Sequence, residues 1–219
     1  MTKHFNNVDP IYGLDWTKMD GNILVVLQED MTDEVVGFGT MTKRGLSYSL
    51  VCAHLGLAWR SSFFKGNPAR IVQIRKDCDN DTLLFRIRLL FSDFEPFRLT
   101  GYQPGALIAL APITGNNLMM AVIQNYASKE ILMVGVMNES AIRKTVETGL
   151  VTLWSRTRDR LWTKGETSGN FLRIGGFLMS PLSSSVVLLV DPVGPVCYTG
   201  TTTCFEESNG LIRQYRLGS

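Results

Sequence analysis

A pattern that occurs twice constrains this chain more than any single motif does. ILVVLQ from Ile23 and EVVGFGTM from Glu34 are apolar, β-branched runs separated by the polar stretch QEDMTDE, and a helix-like segment, Lys43 to Leu57, follows. Such runs read as a hairpin of buried strands leading into a helix. The same order returns later. NNLMMAVIQ reads as a strand, NYASKE as a turn, ILMVGVMN as a strand, and ESAIRKTVET, Glu139 to Thr148, as a short helix closed by Gly149. Gln28 and Gln124, and likewise Met41 and Met137, stand 96 residues apart. A constant separation over strand, turn, strand and helix points to a tandem repeat. The expected fold is therefore α+β: two β-rich repeats with short helices, forming an intramolecular pseudo-two-fold dimer.

The repeats differ after their helices. The first continues as LAWRSSFFKGNPARIVQI and KDCDNDTLLFRI, the second as VTLWSRTRDRLWTKGETSGNFLRI and MSPLSSSVVLLV. Trp59 and Lys65-Gly66 read as the counterparts of Trp154 and Lys164-Gly165. Asp77, Asp79 and Asp81 fall opposite Ser180, Leu182 and Ser184, and Cys78 falls opposite Pro181. The losses are complementary: an acidic cysteine loop survives in the first repeat, a long basic loop and a cysteine pair in the second. The expected layout is an N-terminal arm over 1–20 with little regular structure, a first repeat over 21–105 that supplies DCDND, and a second over 106–219. The Pro- and Gly-containing segment Glu95 to Gly105 is the expected junction.

Composition narrows the partners. With 219 residues, 45% of them hydrophobic, and a formal net charge of +2, the chain can bury a core but carries no charge excess that argues for nucleic acid or a membrane surface. It has no uninterrupted apolar run of membrane-spanning length. Four cysteines are too few for a secreted disulfide scaffold, so reduced thiols and a cytoplasmic location are expected.

Three stretches carry chemistry. In GPVCYTGTTTCF, Gly194 to Phe205, the thiols of Cys197 and Cys204 make an incomplete metal site, since zinc takes at least three protein ligands and a catalytic site keeps one position open. Asp77-Cys78-Asp79-Asn80-Asp81 alternates carboxylates that, in an extended or looped backbone, project to one side and suit Mg²⁺, with Cys78 on the other side. An exposed acidic turn gives the same pattern. Arg156, Arg158, Arg160 and Lys164 precede Gly165-Glu166-Thr167-Ser168-Gly169-Asn170, a loop of small and hydroxyl residues whose groups suit phosphate oxygens. A solvated charged hairpin has this composition too. Cys52 and His54 lie on the apolar LVCAHLGLAW and read as core and boundary residues, and His4 lies in the arm. Acid or base catalysis falls to His54, a carboxylate, a tyrosine or a metal-bound water.

Together, MNESAIRKTVETGLVTLWSRTRDRLWTKGETSGN (Met137 to Asn170), DCDND and GPVCYTGTTTCF resemble phosphoribosyl-AMP cyclohydrolase, the zinc enzyme of the third step of histidine biosynthesis. The block SR-x-R-x₃-W-x-KGETSGN is long and specific. The resemblance implies a homodimer with sites between subunits and zinc held by cysteines from both chains. This sequence looks like such a dimer fused into one polypeptide, able to act as a monomer. On that view Cys78 joins Cys197 and Cys204 on Zn²⁺, and Asp77, Asp79 and Asp81 hold Mg²⁺. Arg156, Arg158, Lys164 and the loop from Gly165 through Glu166, Thr167, Ser168 and Gly169 to Asn170 bind a phosphoribosyl nucleotide, and a zinc-bound water opens the N1–C6 bond of 1-(5-phosphoribosyl)-AMP.

One residue departs from the family pattern. The family has His after the first cysteine of the pair, as C-H-T-G, with an acid/base role; here it is Tyr198. A tyrosine, with an unperturbed pKa of about 10, is a poor base at neutral pH. Either another group such as His54 substitutes, or the chain is a weakened homologue acting as a metal-stabilised nucleotide-binding or regulatory protein.

Overall fold

In the computed structural model the described residues are 13–92, 99–100, 118–179, 185–205 and 210–212. His4, most of the expected junction and residues 180–184 lie outside them. The described residues divide into two compact units.

In the first unit, β1 (Asn22–Glu29) and β2 (Val35–Thr42) form the expected hairpin. Helix α1 (Lys43–Leu55) follows, then β3 (Trp59–Arg60), a 3₁₀ turn (Ser62–Phe64), β4 (Pro68–Lys76) and β5 (Thr82–Leu89). The strand order is β13-β4-β5-β1-β2, with β3 also on β4 and β13 (Gly210–Ile212) antiparallel to β4. β1 lies parallel to β5. Its continuous apolar run fits that central place, since Ile23, Val25, Val26 and Leu27 are all fully buried. Helix α1 starts at Thr42, whose hydroxyl accepts from the Gly45 amide at 3.1 Å. It ends two residues before the expected Leu57, because Gly56 adopts φ +64° and caps it.

The second unit repeats the plan. β7 (Met119–Asn125) and β8 (Ile131–Met137) form a hairpin, α2 (Glu139–Thr148) follows from the cap Asn138, and a small hairpin pairs β9 (Thr152–Ser155) with β10 (Arg160–Thr163). The main sheet runs β6-β11-β12-β7-β8, with β6 (Leu99–Thr100), β11 (Leu172–Met179) and β12 (Ser185–Pro192), and β7 lies parallel to β12.

The irregularities repeat as well. Each first hairpin has a bulge at its glutamine, Gln28 opposite Val35 and Gln124 opposite Ile131. Each glutamine Nε2 donates to a carbonyl in its turn, Asp33 O at 3.0 Å and Lys129 O at 2.7 Å, and both turn residues have positive φ. A second bulge falls between Ile71 and Gln73 in one unit and between Ile174 and Gly176 in the other. Bulges are specific devices that chance similarity of two hairpins does not place in register. The fold is thus α+β with two similarly built β-rich repeats, consistent with an internal duplication.

The registers also correct one correspondence read from the sequence. Trp59 pairs with Ala69, whose counterpart is Leu172, and the Leu172 carbonyl accepts from the Val151 amide. Trp59 therefore answers Val151 and not Trp154. Gly66-Asn67 answers Gly169-Asn170, with both glycines near φ +80°, and not Lys164-Gly165. Tryptophan and Lys-Gly identities misled the alignment because the β9–β10 hairpin is an insertion in the second unit. The strands on both sides of 77–81 stay in register with those flanking 180–184, so these two loops correspond residue for residue.

Candidate metal centre

The cysteine-pair loop is fastened by its own threonines. The amides of Val196 and Cys197 both donate to the Thr201 carbonyl at 3.0 Å, and Gly200, at φ +91°, closes the turn by donating to the Cys197 carbonyl. Buried Thr203 donates its hydroxyl to the Ile131 carbonyl at 2.6 Å and accepts from the Phe205 amide. The Cys204 amide donates to the Leu132 carbonyl at 2.8 Å, and fully buried Phe205 anchors the end. The loop carrying both thiols is thereby tied to β8. The threonine repeat was visible in the sequence, but its partner at Ile131 lies 72 residues away and was not.

Cys78 is placed by the β4–β5 turn. Residues 77–81 form a tight turn with Asn80 at φ +57°, so the three carboxylates are presented from a loop and not from an extended strand. Asp77 is buried and its Oδ1 accepts from the amides of Asp81 and Thr82 at 3.0 and 3.1 Å, while Asp79 is exposed. Burial, and then the neighbouring Asp81 charge, push the Asp77 carboxyl up to about 8. Asp81 in turn pairs with Lys18 at 3.0 Å.

The Sγ atoms of Cys78, Cys197 and Cys204 all lie within 4.8 Å of one another. Cys197 is buried and the other two are half-buried. Among the described residues this is the one group of three or more His, Cys, Asp or Glu side chains arranged to hold a metal ion. Three thiolates at tetrahedral Zn–S distances lie about 3.8 Å apart, so small side-chain rotations suffice for ligation. The soft donor set matches zinc.

The basic stretch forms the β9–β10 hairpin and the loop after it. Arg156 and Arg158 occupy its exposed turn. Three buried threonines secure its base: the Thr152 amide donates to Thr145 Oγ1 at 2.9 Å, and the Thr152 and Thr163 hydroxyls are 2.9 Å apart. Lys164 is buried, its ammonium 5.7 Å from the centre of the Trp162 ring. Glu166 has a structural task, since its carboxylate accepts from the Thr163 amide at 3.1 Å and pairs with Arg160 at 3.5 Å. Thr167 and Ser168 are exposed, the Ser168 hydroxyl accepting from the Asn170 amide, and the Asn170 side chain packs against Gly194.

Gly165 is the intolerant position of that loop. At φ +92°, a Cβ would stand 2.5 Å from the Phe171 nitrogen and 2.6 Å from the Asn170 carbonyl carbon. Gly165→Ala is expected to cost about 2–4 kcal/mol through left-handed strain and a clash with backbone that cannot rotate away. A lowered urea midpoint at unchanged slope measures it.

The remaining candidates lie apart in kind. His54 is exposed in the last turn of α1, and Tyr198 is 79% exposed in the cysteine-pair turn. Cys52 belongs to the first unit's core. Sequence reasoning gave the segment before Asn22 no chemistry, yet among its described residues Leu14 is buried, the Asp15 amide donates to the Asn80 carbonyl at 2.7 Å and Lys18 reaches the acidic turn. The signal was the apolar Leu14 and Trp16 set among charges.

Residues 133–206 match the family Phosphoribosyl-AMP cyclohydrolase. Curated relatives include three proteins named histidine biosynthesis bifunctional protein HisIE. That of Bacteroides thetaiotaomicron is 50% identical over 94 residues, covering 43% of this chain and 46% of the relative. For Vibrio vulnificus the identity is 47% over 91 residues, covering 42% and 43%, and for Escherichia coli O157:H7 it is 45% over 93 residues, covering 42% and 46%. The alignments span somewhat less than half the length of these relatives. Over residues 133–206 the chain is thus similar to the phosphoribosyl-AMP cyclohydrolase family and to HisIE proteins, and its two units are built alike, consistent with an internal duplication.

Proposed function

We propose that this chain hydrolyses the adenine ring of 1-(5-phosphoribosyl)-AMP at N1–C6, giving the formimino carboxamide ribonucleotide of histidine biosynthesis. The observation that carries the reading is the grouping of the Cys78, Cys197 and Cys204 thiols, the donor set that the resemblance implies. Neutral decay of a duplicated gene has no reason to spare one complete ligand set divided between two copies. The repeats, proposed as 21–105 and 106–219 behind an arm at 1–20, then act as one fused dimer, functional as a single chain. Reduced thiols fit a cytoplasmic setting, and no described helix is long and apolar enough to cross a membrane.

Cys78, Cys197 and Cys204 would hold zinc and leave its fourth position open. Bound there, zinc supplies a Lewis acid that delivers hydroxide near neutral pH. Arg156 and Arg158 offer guanidinium forks to the two phosphates of the substrate, and the Lys164 ammonium, kept from bulk water beside Trp162, adds a fixed positive charge. The Gly165 to Asn170 loop positions the substrate through hydroxyls and backbone amides, with Glu166 bracing the loop. Asp77 and Asp81, two crowded carboxylates of which one is buried, would take Mg²⁺, with exposed Asp79 at the rim.

The test is ring opening of phosphoribosyl-AMP by purified protein, followed by absorbance, with metal content measured in parallel. About one zinc per chain is expected, with activity lost on chelation and restored by zinc. Metal-free protein with full turnover would overturn the reading. A second reading, a weakened homologue that binds nucleotide without turnover, is favoured by Tyr198 at the family's histidine position.

A further inference from the structure

Lys18 lies outside the residues that match the family, yet it is wired into the turn that presents Cys78. Its Nζ stands 3.0 Å from Asp81 Oδ2, 3.4 Å from the Asp79 carbonyl oxygen and 4.0 Å from Asp15 Oδ2. The neighbouring Asp15 amide donates to the Asn80 carbonyl at 2.7 Å, and Lys76 Nζ donates to Asn80 Oδ1 at 2.6 Å. Burial works against the Lys18 charge, but the hydrogen bond and charge of Asp81, with Asp79 and Asp15 behind it, hold its pKa above the ordinary value. Three carboxyl groups crowd within five residues, Asp77 raised by burial and then by its Asp81 neighbour, and that crowding bears on the backbone carrying the thiol.

We propose that Lys18 is a positioning residue, a built-in counter-ion that holds turn 77–81 in the shape presenting the Cys78 thiol. It shares this task with a divalent cation at Asp77 and Asp81. An ordinary half-exposed ion pair contributes little to stability. What sets this one apart is that the same ammonium grips a carboxylate and a backbone carbonyl of one turn, on either side of Asn80. The inference deepens the zinc reading and rests on it only for the effect on zinc binding.

Two full-chain variants test it, Lys18→Met and Lys18→Arg. In zinc-free protein, Lys18→Met is expected to lower the urea midpoint, and millimolar Mg²⁺ to restore it by more than it raises the wild type. Lys18→Arg, which keeps the charge, should stay near wild type. In competition with a chromophoric chelator, Lys18→Met should bind zinc about tenfold more weakly, as for loss of a group that orients a ligand, and regain affinity with Mg²⁺. An unchanged midpoint and zinc affinity would overturn the proposal. So would a loss that Mg²⁺ does not relieve, which marks ordinary packing. If wild type binds no zinc, the functional reading fails, while Mg²⁺ rescue of the midpoint still decides the role of Lys18.

Discussion

Cys78→Ala is expected to abolish measurable ring opening and to weaken zinc binding by more than about 10²-fold, beyond what loss of an outer-shell partner gives. The thiol is half-buried in a turn, outside both hydrophobic cores, so its removal opens no cavity of consequence. Two thiolates then remain where a catalytic site needs three protein ligands. Cys204→Ala should do the same, although Cys204 also packs on the second unit's core and its loss should lower stability modestly. Cys52→Ala is the control. It lies in the first unit's core, 3% exposed, and should lower stability while leaving zinc stoichiometry and turnover intact. Equilibrium dialysis and the absorbance assay on the same samples separate the two effects. Full zinc content in Cys78→Ala would overturn the proposed three-cysteine site.

The fold and the candidate site were legible in the sequence to different depths. The duplication could be read because buried central strands demand continuous apolar runs, and Ile23 to Leu27 and Met119 to Ile123 supply them at one separation. The stop of the second helix was readable from Gly149, whose left-handed conformation caps it. The alignment failed where identity and geometry diverge: Trp59 and Trp154 share a side chain, but only strand pairing shows that Trp59 holds the place of Val151. The acidic stretch left an extended and a looped backbone open, and the structure takes the loop, because Asn80 turns the backbone left-handed in the middle of the pattern. Glu166 sits in the polar loop read as a substrate contact, and its carboxylate also accepts from the Thr163 amide and pairs with Arg160, partners that sequence spacing does not reveal.

Tyr198→His bears on whether the chain is a working catalyst or a binding protein. A well-placed general acid or base contributes about 10²–10⁴-fold, and a side chain titrating near 6.5 does so at neutral pH where a phenol near 10 does not. Tyr198 is 79% exposed in a turn held by backbone bonds from Gly200 to Cys197 and from Cys197 to Thr201, so histidine fits there without moving either thiol. The substitution is expected to raise kcat about 10²-fold at pH 7 and to add a limb near pH 6.5 to the rate profile. His54→Ala, on an exposed helix end, should leave both unchanged. A rise on Tyr198→His identifies the proton shuttle as the step this chain has let weaken, with metal and substrate loop still intact. An unchanged rate places proton transfer elsewhere, and a fall gives the tyrosine itself a part, as hydrogen-bond donor to the departing ring nitrogen. If His54→Ala alone abolishes turnover, the substitute base is on the first repeat, and each copy of the duplication has kept a different share of the chemistry.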